Sequence, residues 1–99
     1  MTIEEIKGES SIQLSVDGQI DTITSPELQQ KILTAFQKTK NVVLDLGHVA
    51  YMSSAGLRAL LIGQKTATSK GGSLKVVNVQ PAVMQVFNMS GFSKVLTIG

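Results

Sequence analysis

Short apolar runs rich in β-branched residues alternate along this chain with longer stretches of helical periodicity, and that alternation narrows the possible folds more than any other feature. Thr2 to Lys7 alternates weakly, and Ile12, Leu14 and Val16 alternate cleanly. Residues 8–10 and Asp17-Gly18 punctuate the two runs as turns do, which predicts an opening hairpin. A helix is then expected from Thr24, with Pro26 in its first turn and Glu27 completing a T-x-x-E capping box. Leu28, Ile32, Leu33, Ala35 and Phe36 form its apolar stripe, and Lys38 and Lys40 suit its C-terminal dipole. Val42-Val43-Leu44-Asp45-Leu46 reads as a buried strand. A second helix carries Leu57, Leu60, Leu61 and Gln64 on one side, with Ala59, Gly63 and Ala67 allowing close packing, until Gly71-Gly72 stops it. Residues 74–79 predict another strand. Pro81 opens a third helix with Val83, Met84, Val86 and Phe87, residues 89–92 end it, and residues 95–98 predict a last strand. The order ββαβαβαβ calls for an α/β fold with a largely parallel sheet after the hairpin.

Composition restricts function more by exclusion. A chain of 99 residues without repeats or linkers suits one domain, residues 1–99. Its 42% hydrophobic and 16% charged residues can supply a core and do not fit a disordered chain. The net charge is only +2 and the nine Lys and Arg residues are scattered, so no basic stripe favours nucleic acid. With no cysteine there is no disulfide, thiolate nucleophile or zinc–thiolate site. His48, the single histidine, is a poor basis for a metal centre, and neither metal nor cofactor is expected. The N-terminus lacks the apolar core of a signal peptide. No apolar run approaches the roughly 20 residues of a membrane span, so the expectation is a soluble, cytoplasmic protein without membrane insertion.

The informative stretch is residues 44–61, where a buried strand runs into a loop that delivers Ser53 and Ser54 to the first turn of a helix. Either serine is placed to cap that helix, and a plain cap is the bland reading. The sharper reading uses the same geometry, because helix amides and the dipole also tolerate a phosphate. Asp21 is either a turn residue or a contact for a partner. Arg58 is either solvated or a contact for an acidic partner or a phosphate. Asp45 is expected as a hydrogen-bonded residue at a strand end. Met84, Phe87, Met89 and Phe92 read as core and helix-exit packing. A Ser54–His48 nucleophile couple finds no G-x-S-x-G elbow and no third member, so a small serine hydrolase is a weak alternative. Gly71-Gly72 lacks the Lys-[Ser/Thr] of a phosphate loop, which argues against ATP binding by this chain.

Met52-Ser53-Ser54-Ala55-Gly56-Leu57-Arg58 resembles the phosphorylation loop of bacterial anti-sigma factor antagonists, which are STAS domains. Gly18-Gln19-Ile20-Asp21 is similar to that family's Gly-x-[Leu/Ile/Val]-Asp, and Leu44-Asp45-Leu46 to the strand before its loop. Pro81-Ala82-Val83 and Met89-Ser90-Gly91-Phe92 are similar to its late helix and exit. The resemblance implies a single mixed, largely parallel sheet of about five strands, with helices packed mainly on one face. It also implies a partner switch and no catalysis by this chain. The unphosphorylated form would bind an anti-sigma factor that is also a serine kinase and release its target. Phosphorylation would end that binding, and a metal-dependent serine phosphatase would reset it. By position the acceptor is Ser54, with Ser53 as the alternative, and the partner contacts are Asp21, Thr22, Met52, Ser53, Ala55, Gly56, Leu57 and Arg58. Two departures stand out: Ser53 sits where the family often has Asp, and Ala55 replaces a second hydroxyl. A non-phosphorylated STAS subunit of a transporter is the other family reading.

Overall fold

Strands and helices form where the two periodicities place them. In the computed structural model, which describes residues 1–99, β1 (Thr2–Lys7) and β2 (Ile12–Asp17) make the opening hairpin. They are followed by α1 (Ser25–Lys38), β3 (Asn41–His48), α2 (Ser54–Ser69), β4 (Ser73–Val77), α3 (Pro81–Ser90), a 3-10 turn at Phe92–Lys94 and β5 (Thr97–Ile98). The five strands lie in the order β1-β2-β3-β4-β5, with β1 antiparallel to β2 and the other pairs parallel. Each parallel crossover steps to the next strand in the same direction. Since such crossovers share one hand, the three helices fall on one face of the sheet.

Burial follows that layering. Ile12, Leu14 and Val16 of β2, Val42, Leu44 and Leu46 of β3, and Leu74 and Val76 of β4 are buried, while Gln13, Ser15, Val43, Asp45 and Lys75 between them stay at least partly open. The register aligns the buried set into rows, with Ile12 beside Val42 and Val42 beside Leu74, and Leu14 beside Leu44 and Leu44 beside Val76. Leu28, Ile32 and Phe36 of α1 and Leu57 and Leu60 of α2 join the same core cluster. Removing each such side chain from water contributes on the order of 1.5–3 kcal/mol. At Gly63 an added Cβ would come within 2.9 Å of Ile32 Cγ2 and 3.0 Å of Leu74 Cδ2, so α2 approaches α1 and the sheet where only a bare backbone fits. No helix is long and apolar enough to cross a membrane.

Several sequence expectations shift. Leu33 is half-buried at the margin of the α1 stripe instead of in the core. β3 runs two residues past Leu46, whereas β4 stops at Val77 because Asn78 turns the chain with a φ of 55°. The last strand shrinks to Thr97–Ile98 because the amides of Val95 and Leu96 both donate to Phe92 O and hold residues 92–96 in turns. The expected T-x-x-E capping box at Thr24 does not form: Thr24 has helical φ/ψ (−90°, −22°) and its side chain caps nothing in α1. A reciprocal box forms one turn earlier. Asp21 Oδ1 accepts from the Thr24 amide at 2.9 Å, and Thr24 Oγ1 accepts from the Asp21 amide at 2.9 Å. The Ser25 amide then bonds to Asp21 O at 2.9 Å, so the turn at Asp21 runs straight into α1.

Candidate partner-binding site

Two loops meet at the carboxyl ends of β2 and β3, where open α/β sheets gather functional groups. Residues 18–24 lead from β2 into α1, and residues 49–53 lead from β3 into α2. Backbone bonds join them. The Ile20 amide donates to Tyr51 O at 3.1 Å, the Ser53 amide donates to Ile20 O at 2.9 Å, and Ile20 and Met52 form a parallel bridge. Ile20 is fully buried and Met52 is only 3% exposed, so the joint is anchored in the core. Gly56, in the first turn of α2, closes it from above. A Cβ there would lie 2.6 Å from Ile20 Cγ2 and 2.8 Å from Met52 Cγ, which excludes any side chain without movement of both loops.

That joint sets Asp21 beside the serines. Its carboxylate is held by the turn: the Thr24 amide on Oδ1 keeps its carboxyl below the usual value of 3.8, and the Ile23 amide and Thr24 hydroxyl act in the same direction against a partial burial. Thr24 Oγ1 also lies 2.9 Å from Gln19 O, where it can place its proton. The amides of Asp21, Ile23, Thr24 and Ser25 and the Thr24 hydroxyl therefore all have acceptors within this turn.

The start of α2 differs. Ser53 occupies the cap position in extended conformation (φ −89°, ψ 174°), yet its side chain makes no cap bond, contrary to the expectation that a serine would cap this helix. Its Oγ is buried and has no hydrogen-bond partner. Ser54 is the first helical residue, and its side chain faces solvent. The Leu57 amide bonds to Ser53 O at 3.1 Å, whereas the amides of Ser54, Ala55 and Gly56 have no acceptor. No acidic residue stands in this first turn. The outcome is an exposed hydroxyl beside three free amides at the positive end of a 16-residue helix.

The expected contact residues divide by depth. Thr22, Ser54 and Arg58 are exposed, Asp21, Ser53 and Ala55 are half-buried, and Met52, Gly56 and Leu57 are buried. The last three shape the surface from below. Two apolar residues not anticipated as contacts are exposed on the joined loops, Ile23 at 86% and Tyr51 at 50%, one on each. Their signal in the sequence is faint, a single apolar residue inside Thr22-Ile23-Thr24 and an aromatic just before the serines. Asp45 is hydrogen-bonded near its strand end as expected, Oδ1 accepting from the Gly47 amide at 2.9 Å, and Gln80 Nε2 donates to Gly47 O at 2.8 Å. His48 closes β3 and lines a hollow with Ser15, Val16, Asp45, Gly47 and Asn78, a set that does not include Ser54.

The chain matches the family described as STAS domain over residues 2–99. It is 32% identical over 98 residues to the anti-sigma F factor antagonist of Paenibacillus polymyxa, covering 97% of this chain and 82% of that protein. It is 26% identical over 98 residues to the anti-sigma-B factor antagonist of Bacillus subtilis (strain 168), covering 99% and 90%. In three dimensions it is similar to the Bacillus cell fate determinant SpoIIAA in its phosphorylated form, with a TM-score of 0.76 at 19% identity, covering 99% of this chain and 91% of that one. With the sheet order, the joined loops and a family match that spans all but the first residue, this chain belongs to the STAS domain family.

Proposed function

We propose that this chain is an anti-sigma factor antagonist that works by partner switching, with Ser54 as the phosphorylated residue. The observation that carries the reading is the contrast between the two serines: Ser54 is exposed on the first turn of α2, whereas the Oγ of Ser53 is buried. Relatives of this family that bear the name of antagonist supply the functional class. In the unphosphorylated form, the surface built from Asp21, Thr22, Ser54 and Arg58, widened by the apolar side chains of Ile23 and Tyr51, docks on an anti-sigma factor that is also a serine kinase. Exposed apolar residues beside a polar centre suit such a protein partner.

The kinase supplies ATP and its metal. Ser54 Oγ attacks the γ-phosphorus, the Oγ–P bond forms as the bond to the ADP oxygen breaks, and the hydroxyl proton passes to a base of the kinase. The product carries about −1.5 to −2 more charge on a surface where Asp21 and Arg58 had balanced one another. The free amides of α2 accommodate the phosphate without refolding the chain, while the docked partner meets a charge it must desolvate. Each ~1.4 kcal/mol of that penalty weakens binding about tenfold. A metal-dependent serine phosphatase then hydrolyses the phosphoserine and restores the binding form.

The test uses the anti-sigma kinase of the same bacterium, with calorimetry for affinity and phosphopeptide mapping for the site. Ser54→Ala binds the kinase as the unmodified chain does and accepts no phosphoryl group, and Ser54→Asp binds at least about tenfold more weakly. Equal binding by both variants, or phosphate mapped to Ser53, rejects the reading.

A further inference from the structure

We infer that Arg58 is the built-in counter-ion of a phosphoryl group on Ser54, so that one modification both adds an anion to the surface and withdraws a cation from it. The inference rests on Ser54 being the residue that is phosphorylated. Arg58 lies four residues after Ser54 on α2, and both side chains are exposed. Positions four apart on a helix are neighbours, about 5–6 Å between Cβ atoms. Helical side chains also lean toward the N-terminus, so the Arg58 stem points back over the turn that carries Ser54. An anion placed before a cation at this spacing is the favourable order, since it also suits the helix dipole.

Arg58 is free for that role. The structure holds one ion pair, Lys38 with Glu5 at 3.3 Å, and it lies elsewhere. No acidic residue in the first turn of α2 competes for the guanidinium. The planar fork can meet two phosphate oxygens at once, which a lysine ammonium cannot. The first turn of α1, by contrast, carries an acid, Glu27, and the position of α1 that matches Arg58 is Gln29. In the unphosphorylated chain Arg58 therefore faces outward, available to an acidic surface of the partner. In the phosphorylated chain it folds onto its own helix. Loss of that contact adds to the repulsion that the phosphate itself creates.

The test needs no kinase. The full chain is produced with phosphoserine incorporated at position 54 during translation, and its phosphate is titrated by phosphorus NMR. The other titratable side chains on the elements around Ser54 are Asp45 and His48 on β3, Asp21 and Tyr51 on the two loops, Lys65 on α2, and Glu27, Lys31 and Lys38 on α1, and all of them are common to every variant compared. Phosphoserine releases its second proton near pH 6, and an adjacent cation lowers that midpoint by favouring the dianion. The expected midpoint of the parent chain lies about 0.3 pH unit below that of Arg58→Gln at low salt. Arg58→Lys recovers part of the difference. The difference closes near 1 M salt, where the screening length is about 3 Å. Coincident midpoints at low salt, or a difference untouched by salt, overturn the inference. Either result leaves the switch itself standing, because that reading is judged by kinase binding of the Ser54 variants.

Discussion

The two helix starts that meet at this site are built in opposite ways. At α1, Asp21 and Thr24 cap one another, and amides and hydroxyl alike find acceptors at about 2.9 Å. At α2, three amides have no acceptor, and the Ser53 hydroxyl is buried without a partner. A protein optimised for stability alone would cap both, since a missing cap costs typically about 1 kcal/mol. The α1 turn is therefore fixed by its own side chains, whereas the first amides of α2 are left open.

The capped turn and the open turn form one surface only while the joint between them holds, and Gly56 is where that is most easily broken. Gly56→Val drives side-chain atoms into Ile20 and Met52, which are buried and cannot swing aside. The expected loss is about 2–3 kcal/mol, as for an overpacked core. Urea denaturation measures it. A loss below ~0.5 kcal/mol would mean that the loops part without cost and that the joint does not couple them.

A smaller effect tests the α1 side. Thr24→Val keeps the shape and removes the hydroxyl, so the Asp21 amide loses its acceptor and stability falls by about 1 kcal/mol at neutral pH. Acid attacks the same box. The carboxyl of Asp21 is held below 3.8 in the fold, so its contribution is complete above the unfolded value. It is lost as pH falls through the lower, folded value. The stability gap between the parent chain and Asp21→Ala should therefore be constant through neutral pH and shrink only in strong acid. A gap that widens on acidification would contradict the assigned direction.

The α1 cap also shows how far the sequence could be read. T-x-x-E at residues 24–27 is a sound box by pattern, yet an equally good D-x-x-T at residues 21–24 begins one turn earlier, and the chain can close only one of them across Thr24. Tertiary structure decides: bonds from Ile20 to Tyr51 and Ser53 hold the chain so that Asp21 is the first residue able to turn. Periodicity sufficed for the sheet rows, because Ile12, Leu14, Val42, Leu44, Leu74 and Val76 carry a signal that covers a whole strand. It failed at Asn78 and at residues 92–96, where a single left-handed residue or a few turn bonds end an element. Around the loop joint, the motif anticipated exposed Ser54 and Arg58. Ile23 and Tyr51 were not anticipated, since exposure of one apolar residue in a loop depends on what the rest of the fold leaves uncovered.

The smallest effect belongs to Ser53, and it is the one that separates the two helix starts most cleanly. If its hydroxyl served as a cap, Ser53→Ala would cost about 1 kcal/mol, as a cap residue does. The Oγ has no partner, however, and a buried polar atom without one gains nothing over a methyl group. Ser53→Ala should therefore be neutral or raise stability by a few tenths of a kcal/mol, and thermal unfolding beside Thr24→Val makes the comparison direct. Two hydroxyls at the cap positions of helices look alike in sequence. The one at Thr24 is tied into the fold, and the one at Ser53 can be removed because the turn it begins takes its stability from elsewhere: the Leu57 amide on Ser53 O, and the packing of Gly56 on Ile20. A loss near 1 kcal/mol for Ser53→Ala would show that the α2 start is capped in solution, and the contrast between the two turns would then fail.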